Sequence, residues 1–454
     1  MSEVRRFFAA QAWVAGAWAH DVLLEADPDG LWSQVIVDCS EADRAGAEVL
    51  EGPVLPGLVD AHSHAFQRAI AGLTECAAPG RDDFWSWRNR MYAAARHIGP
   101  AQLETIAAFL DTELLRAGYT QVCEFHYLHN DVDGASYADP LEMSLALVRA
   151  AQRTGIGLTL LPTLYMRSGF AAKGLTEDQR RFASTPESVL RIGQHVRQAG
   201  SGSSRITAGI ALHSLRAVDE GAMPDVVAAA RDGRMPVHIH IAAQPLAVED
   251  CWRRHGQRPI EWLLDHVAVD QHWNLVHATR STREELAMVR ELGASIVICP
   301  STEANLGDGV FDLRGWLEIG GRWSIGSDSH VTRSPVEELR LLEYSQRLAL
   351  RERNVAARAA RTESTAAVLF NGAVDGGSAA AGQACGGLVL GQRADFCVPD
   401  PSSPALAGVP APRMLDALVF SSPDAAMVRV CVAGRDVNLH PATGEFAALM
   451  RALW

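Results

Sequence analysis

The chain has 454 residues, of which 48% are hydrophobic and 21% charged, enough for a large buried core. Its formal charge is −13, from 41 basic and 54 acidic residues, and no basic run stands out. That balance argues against a nucleic-acid or anionic-membrane surface, and any anionic substrate has to be caught by a few local arginines against an unfavourable overall field.

The N-terminal stretch "MSEVRRFFAAQAWVAGAW" is interrupted by Gln11 and lacks the continuous apolar core of a signal peptide. No run approaches the ~20 apolar residues of a membrane span. The eight cysteines are scattered without a CxxC pair, which reads as buried free thiols in a reducing compartment. The expectation is a soluble, cytoplasmic protein.

Residues 1–53 read as short strands separated by Gly, Asp and Pro: "RFFAAQAWV", "AHDVLLEAD" and "SQVIVDC". Residues 385–454 read similarly, with "GGLVLGQRADFCVPD" and "AMVRVCVAGRDV". Neither end can bury both faces of a sheet alone, so the two termini are expected to form one small β-sandwich. Between them, over 54–384, apolar strands alternate with helical stretches. Eight strands are predicted, near 54–61, 120–126, 157–164, 206–213, 236–241, 272–277, 294–299 and 322–327. This alternation is α/β and predicts a closed (β/α)₈ TIM-like barrel. A doubly wound open sheet is the alternative, but it calls for a glycine-rich phosphate turn after the first strand, and "HSHAFQRA" is not one. The stretch from Ala65 to Gly99, rich in aromatic and charged residues ("GRDDFWSWRNRMY"), is long for a βα connection and is expected to be a lid or binding loop. Residues 362–387 predict a helix leaving the barrel towards the sandwich.

In a barrel, function sits at the carboxyl ends of the strands. There the sequence places His62 and His64, His240, His277 and Asp328. His62 and His64 share a face because side chains alternate along a strand. Two imidazoles, a third from a later strand and an aspartate make a nitrogen–oxygen metal site, best suited to zinc with one position open to water. His240 is nearer its strand end than His238, which is expected to pack lower in the barrel. His277 can be a fourth ligand or a donor to the substrate. Asp328 can bind metal and take a proton from water. Strand four ends "ALHSLR" with no lysine to bridge a second metal, so one Zn²⁺ per chain is expected.

The stretches "HSHAFQRAIAGL", "FWSWRNRMY", "AGYTQVCEFHYLHND", "GIGLTLLPTLY", "HSLRAV", "PVHIHIA", "LVHAT", "STEANLGDGVF" and "GSDSHV" carry a resemblance over nearly the whole chain. It resembles the amidohydrolase superfamily and, within it, the formimidoylglutamate deiminase (N-formimino-L-glutamate iminohydrolase) family of histidine degradation. The resemblance implies hydrolysis of N-formimino-L-glutamate to N-formyl-L-glutamate and ammonia, with one zinc held by His62, His64, His240 and Asp328. It implies a dicarboxylate substrate. Arginine forks suit two carboxylates, so Arg216 and Arg88 are the candidate anchors. Gln67 and Tyr127 are expected to add neutral hydrogen bonds, and His213 to hold or neutralise a carboxylate. Glu303 and Asn305 are as well explained by structural hydrogen bonding. A homodimer is expected by fold-level analogy.

The sequence departs from the pattern at one catalytic position. Deaminases of this superfamily carry Glu three residues after the strand-five histidine; here His240 is followed by Ile241, Ala242 and Ala243. That Glu relays a proton from water to the departing nitrogen, and alanine cannot. Losing such a group costs about 10²–10⁴ in rate. Three accounts are open: an engineered inactive variant, a natural loss of activity, or recruitment of another base. The rival functions are a nucleobase deaminase of the same superfamily and a catalytically silent zinc-containing binding protein.

Overall fold

The computed structural model describes residues 4–76, 82–422 and 426–454. Gly80 and Arg81 of the aromatic stretch "GRDDFWSWRNRMY" lie outside them. The N-terminal strands are β1 (Arg5–Val14), β2 (Ala17–Ala26), β3 (Trp32–Ile36) and β4 (Glu48–Leu50), in the order β3-β2-β1-β4. The barrel strands are β5 (Leu58–Ser63), β6 (Tyr119–His126), β7 (Gly157–Leu164), β8 (Ile206–Ala208), β9 (Ile210–Ser214), β10 (Val237–Ile241), β11 (Trp273–His277), β12 (Ser295–Ile298) and β13 (Trp323–Ile325). A C-terminal sheet holds β14 (Phe396–Pro399), β15 (Met427–Val432) and β16 (Arg435–Asp436).

The barrel pairs are all parallel, in the order β13-β12-β11-β10-β9-β7-β6-β5. Every residue of β5, β6 and β7 is buried, as expected of a sheet covered on both faces. The ring closes where Ser63 bridges Asp328 and the Asp328 amide donates to the His62 carbonyl at 2.8 Å. The fourth strand, predicted as continuous over 206–213, is broken at Gly209. A Cβ there would lie 2.5 Å from the Pro236 carbonyl oxygen, so only glycine fits where the chain steps from β8 to β9.

The helices follow from local chemistry. Helix Pro100–Ala117 starts with proline in its first turn and ends at Gly118 in the left-handed region (φ 108°). It buries Leu103, Ile106, Ala107, Leu110, Leu114 and Leu115, the stripe visible in the sequence. Helix Thr365–Ala381 does not leave the barrel, as the sequence had suggested, but packs across its seam against β13 and β5. No helix among the described residues is long and apolar enough to cross a membrane.

The two terminal sheets share a core of Phe7, Val22, Leu24 and Trp32 from one side and Leu388, Phe396, Val398 and Cys431 from the other. Phe7 and Phe396 meet edge to face at 5.1 Å. The segment beyond residue 385 also contains helices Met414–Ser421 and Thr443–Leu453, which pack on barrel helices; Phe446 stacks on Phe109 at 4.0 Å.

Candidate active site

At the carboxyl ends of the strands, β5, β10 and β11 bring three elements' imidazoles around Asp328. The His62 and His64 Nε2 atoms lie 3.5 and 3.4 Å from Asp328 Oδ1, His277 Nε2 lies 3.7 Å from Oδ2, and His240 Nε2 is 2.9 Å from His62 Nε2. Two buried carboxyls inside the strands set this geometry. Glu124 of β6 accepts from Ser63 Oγ (2.6 Å) and the Ala65 amide (2.7 Å), which fixes the turn after the His62–His64 pair. Asp60 of β5 accepts from Ser327 Oγ (2.5 Å) and the Ser327 amide (2.8 Å), which fixes the chain beside Asp328. Burial pushes Glu124 up to about 8 and Asp60 up to about 7.

The donor set fits a divalent cation. His64 Nδ1 faces the Phe125 carbonyl at 2.8 Å and His240 Nδ1 faces the His213 carbonyl at 3.0 Å. A carbonyl only accepts, so both Nδ1 atoms carry the proton and both Nε2 atoms present lone pairs. Burial depresses His62, to about 3, and also His64 and His240, keeping them neutral. Lone pairs and a carboxylate turned towards each other in a buried space are mutually repulsive unless a cation lies among them. Three imidazole nitrogens and one carboxylate oxygen are the donors expected for a single zinc-type ion.

His277 differs from the other three. Its Nδ1 lies 3.3 Å from Glu303 Oε1. Burial alone would lower its pKa, but the Glu303 hydrogen bond and the Asp328 charge outweigh it and raise it to about 9. A protonated imidazole donates and does not ligate, so this side chain suits a developing charge on a substrate. His238, by contrast, faces the Ala380 carbonyl at 2.9 Å within the barrel, away from the cluster.

The cluster opens into a cleft. Gln67, Arg88, Tyr127, His213, Arg216 and Ala243 all line it, with His64, His240, His277 and Asp328 at its floor. The Gln67 amide donates to the Tyr127 hydroxyl at 3.1 Å, and its own Oε1 is buried without a partner among the described residues. Arg88 lies over the rings of Trp85 and Tyr92, at 4.5 and 5.3 Å, and Arg216 over the Trp85 ring at 5.7 Å. Neither guanidinium has a carboxylate partner among the described residues. Burial, and then the Arg216 charge, hold His213 well below its usual range, so it is a neutral hydrogen-bonding group in this cleft. The long segment after β5 is not all loop: Asp83 accepts from the Trp85 and Ser86 amides and starts helix Phe84–Ala95, which delivers Arg88 and Tyr92 to the cleft. Asn305 points elsewhere, donating to Glu75 Oε1 at 2.9 Å.

A model of the amidohydrolase family matches residues 54–437. The chain belongs to the amidohydrolase family. A formimidoylglutamate deiminase of Pseudomonas aeruginosa is 46% identical over 430 residues, which span 94% of this chain and 93% of that one. The crystal structure of an amidohydrolase from Brucella melitensis has a TM-score of 0.92 at 39% identity, covering 99% of both chains. An adenosine deaminase from Xanthomonas campestris, solved with bound zinc, has a TM-score of 0.78 at 19% identity over 99% of this chain and 97% of that one, a likeness of fold alone.

Several residues of this amidohydrolase site escaped sequence reasoning. Asp60 and Glu124 had a visible signal, an acid inside an otherwise apolar strand ("LVDAHSH", "VCEFH"). Tyr92 and Tyr165 end two of the stretches that carry the resemblance, but nothing in them signals the pairing: their hydroxyls lie 3.3 Å apart, and Gln179, from a distant 3₁₀ turn, donates to both at 3.1 and 3.0 Å. Asp308 lies five residues beyond Glu303, in a loop whose path only the fold sets.

Proposed function

We propose that this amidohydrolase hydrolyses N-formimino-L-glutamate to N-formyl-L-glutamate and ammonia, with one zinc ion. The observation that carries this assignment is the pair Arg88 and Arg216, two cations without carboxylate partners among the described residues, set in the same aromatic-lined cleft as the imidazole–carboxylate cluster. Two guanidinium groups match a substrate with two carboxylates. The 46% identity to a formimidoylglutamate deiminase supports the same substrate. A nucleobase pocket would favour aromatic stacking and amide groups over a pair of arginines.

His62, His64, His240 and Asp328 would hold the zinc, which when bound supplies Lewis acidity that acidifies water and polarises a C=N group. Arg88 and Arg216 bind the carboxylates, while Gln67 and Tyr127 orient the chain between them. Asp328 accepts the proton of the attacking water at a carboxylate oxygen. His277, kept protonated by Glu303, donates a hydrogen bond to the charge that develops at the formimino nitrogen. At position 243 an alanine methyl group stands where a glutamate would move protons, so turnover is set below that of a site with a carboxyl there. A cytoplasmic location, supported by eight free thiols, and a homodimer, supported by fold-level analogy, complete the proposal.

The decisive measurement is ammonia release from N-formimino-L-glutamate by the zinc-loaded chain and by Arg216→Met and Ala243→Glu. Arg216→Met is expected to weaken substrate binding about 10- to 100-fold, as for loss of a charge-assisted hydrogen bond. Ala243→Glu is expected to raise kcat about 10²-fold or more. Unchanged substrate affinity in Arg216→Met rules out the dicarboxylate role.

A further inference from the structure

The cleft contains one carboxyl group that the mechanism above leaves unused. Asp308 follows helix Pro300–Leu306, is 3% exposed, and lines the same cavity as Ala243, Gln244 and His277. Gln244 Nε2 donates to its Oδ1, and its Oδ2 has no hydrogen-bond partner among the described residues. Its backbone is pinned next to position 243. The Thr279 hydroxyl lies 3.0 Å from the Asp308 carbonyl and 3.3 Å from the Ala243 carbonyl, and the Asp308 amide donates to the Glu303 carbonyl at 2.9 Å. A buried carboxyl with one oxygen anchored and the other unengaged, beside a position that lacks a side chain long enough to carry protons, is a group placed to do so.

We propose that Asp308 carries the proton in this chain that a glutamate at position 243 would otherwise carry to the leaving nitrogen. This rests on the deiminase assignment. As the water oxygen bonds to the formimino carbon, the C=N electron pair moves to nitrogen. Asp328 takes a proton from the water, and the acid form of Asp308 gives its own to the nitrogen. On collapse the C–N bond breaks with its electron pair on nitrogen and the C=O bond forms. The hydroxyl proton passes to the Asp308 carboxylate, and ammonia leaves with the proton that Asp328 held. Both carboxyl groups return to their starting state.

The surroundings suit an acid that works near neutrality. Burial pushes Asp308 up to about 7; His277 pulls it down, Glu303 and Asp328 push it up, and the Gln244 hydrogen bond pulls it down. Arg280 lies across the neighbouring Gly309.

The test compares ammonia release by the zinc-loaded parent, Asp308→Asn, Ala243→Glu, the double variant and Gln244→Leu, with zinc content and circular dichroism recorded for each. Asp308→Asn should lower kcat of the parent about 10²-fold or more, with KM changed less than about threefold. In the Ala243→Glu background the same change should cost less than about threefold, because the two carboxyls substitute for one another. Gln244→Leu removes a hydrogen bond from the carboxylate form, so the alkaline limb of the kcat profile should move to higher pH. A kcat within twofold in Asp308→Asn, an equal loss in both backgrounds, or an unmoved limb in Gln244→Leu overturns the proposal while leaving the deiminase assignment standing if Ala243→Glu is active. Absence of ammonia release from both the parent and Ala243→Glu overturns that assignment, and the proposal with it. Should Asp308→Asn not fold, the Gln244→Leu profile decides.

Discussion

His277 sits between two carboxylates, Glu303 on Nδ1 and Asp328 near Nε2, and its backbone is in the left-handed region at φ 73°. Asp328 (φ 50°) and Ala242 (φ 51°) share that conformation, which costs a non-glycine residue about 1–3 kcal/mol. The neighbouring ladder compensates: the Ala278 amide donates to the Ile241 carbonyl at 3.1 Å and the Asp328 amide to the His62 carbonyl at 2.8 Å. The left-handed turns let the chain leave each strand sharply while the polar side chain stays over the barrel mouth. The Glu303 bond predicts a pH effect. The His277 pKa is raised from 6.5 to about 9 on folding, so its contribution to stability is fully present below about pH 6.5 and is lost as pH rises through about 9. In metal-free protein, Glu303→Gln should lower the His277 pKa, read as the imidazole NMR titration, and should flatten the loss of unfolding free energy between those pH values.

Helix Thr365–Ala381 shows how one element closes the barrel. Its glycines face the seam: a Cβ on Gly376 would lie 1.7 Å from the Trp323 carbonyl oxygen, and one on Gly377 would lie 2.8 Å from Val59 Cβ. Backbone and strand therefore meet at a distance no larger side chain permits. Gly376→Ala gains helix propensity but has to push β13 outward. The overpacking is expected to cost about 1–3 kcal/mol, seen as a lower urea midpoint with an unchanged slope. Because β13 leads to Asp328, zinc affinity should fall in the same variant, measured by competition with a chromophoric chelator.

At the scale of the whole molecule, Arg393 joins the terminal sheets to the barrel. It pairs with Asp395 at 2.6 Å and donates to Gln121 Oε1 at 2.6 Å and to the Thr120 carbonyl at 3.2 Å, all of them buried. Asp395 in turn accepts from the Ala433 amide at 2.9 Å. Arg393→Met would leave that carboxylate buried without its cation. The expected cost is about 3–5 kcal/mol of unfolding free energy, with zinc content retained in the folded fraction because the change lies at the opposite end of the strands from the metal cluster.

Strand–helix alternation and the positions of His62, His64, His240, His277 and Asp328 were legible because each depends on neighbours close in sequence: period, strand end, turn residues. Placement of Arg88 and Arg216 in the cleft followed from motif resemblance, since nothing local distinguishes a ligand-binding arginine from a solvated one. The amino-acid sequence alone determined an eight-fold α/β barrel with metal-type residues at one end, because alternating burial is written residue by residue. Only the tertiary structure decided that helix Thr365–Ala381 seals the seam, that Asp60 and Glu124 brace the histidine turn, and that Asp308 shares a cavity with Ala243. Those contacts join residues tens to hundreds of positions apart, and their energies depend on burial that exists only once the ring is closed.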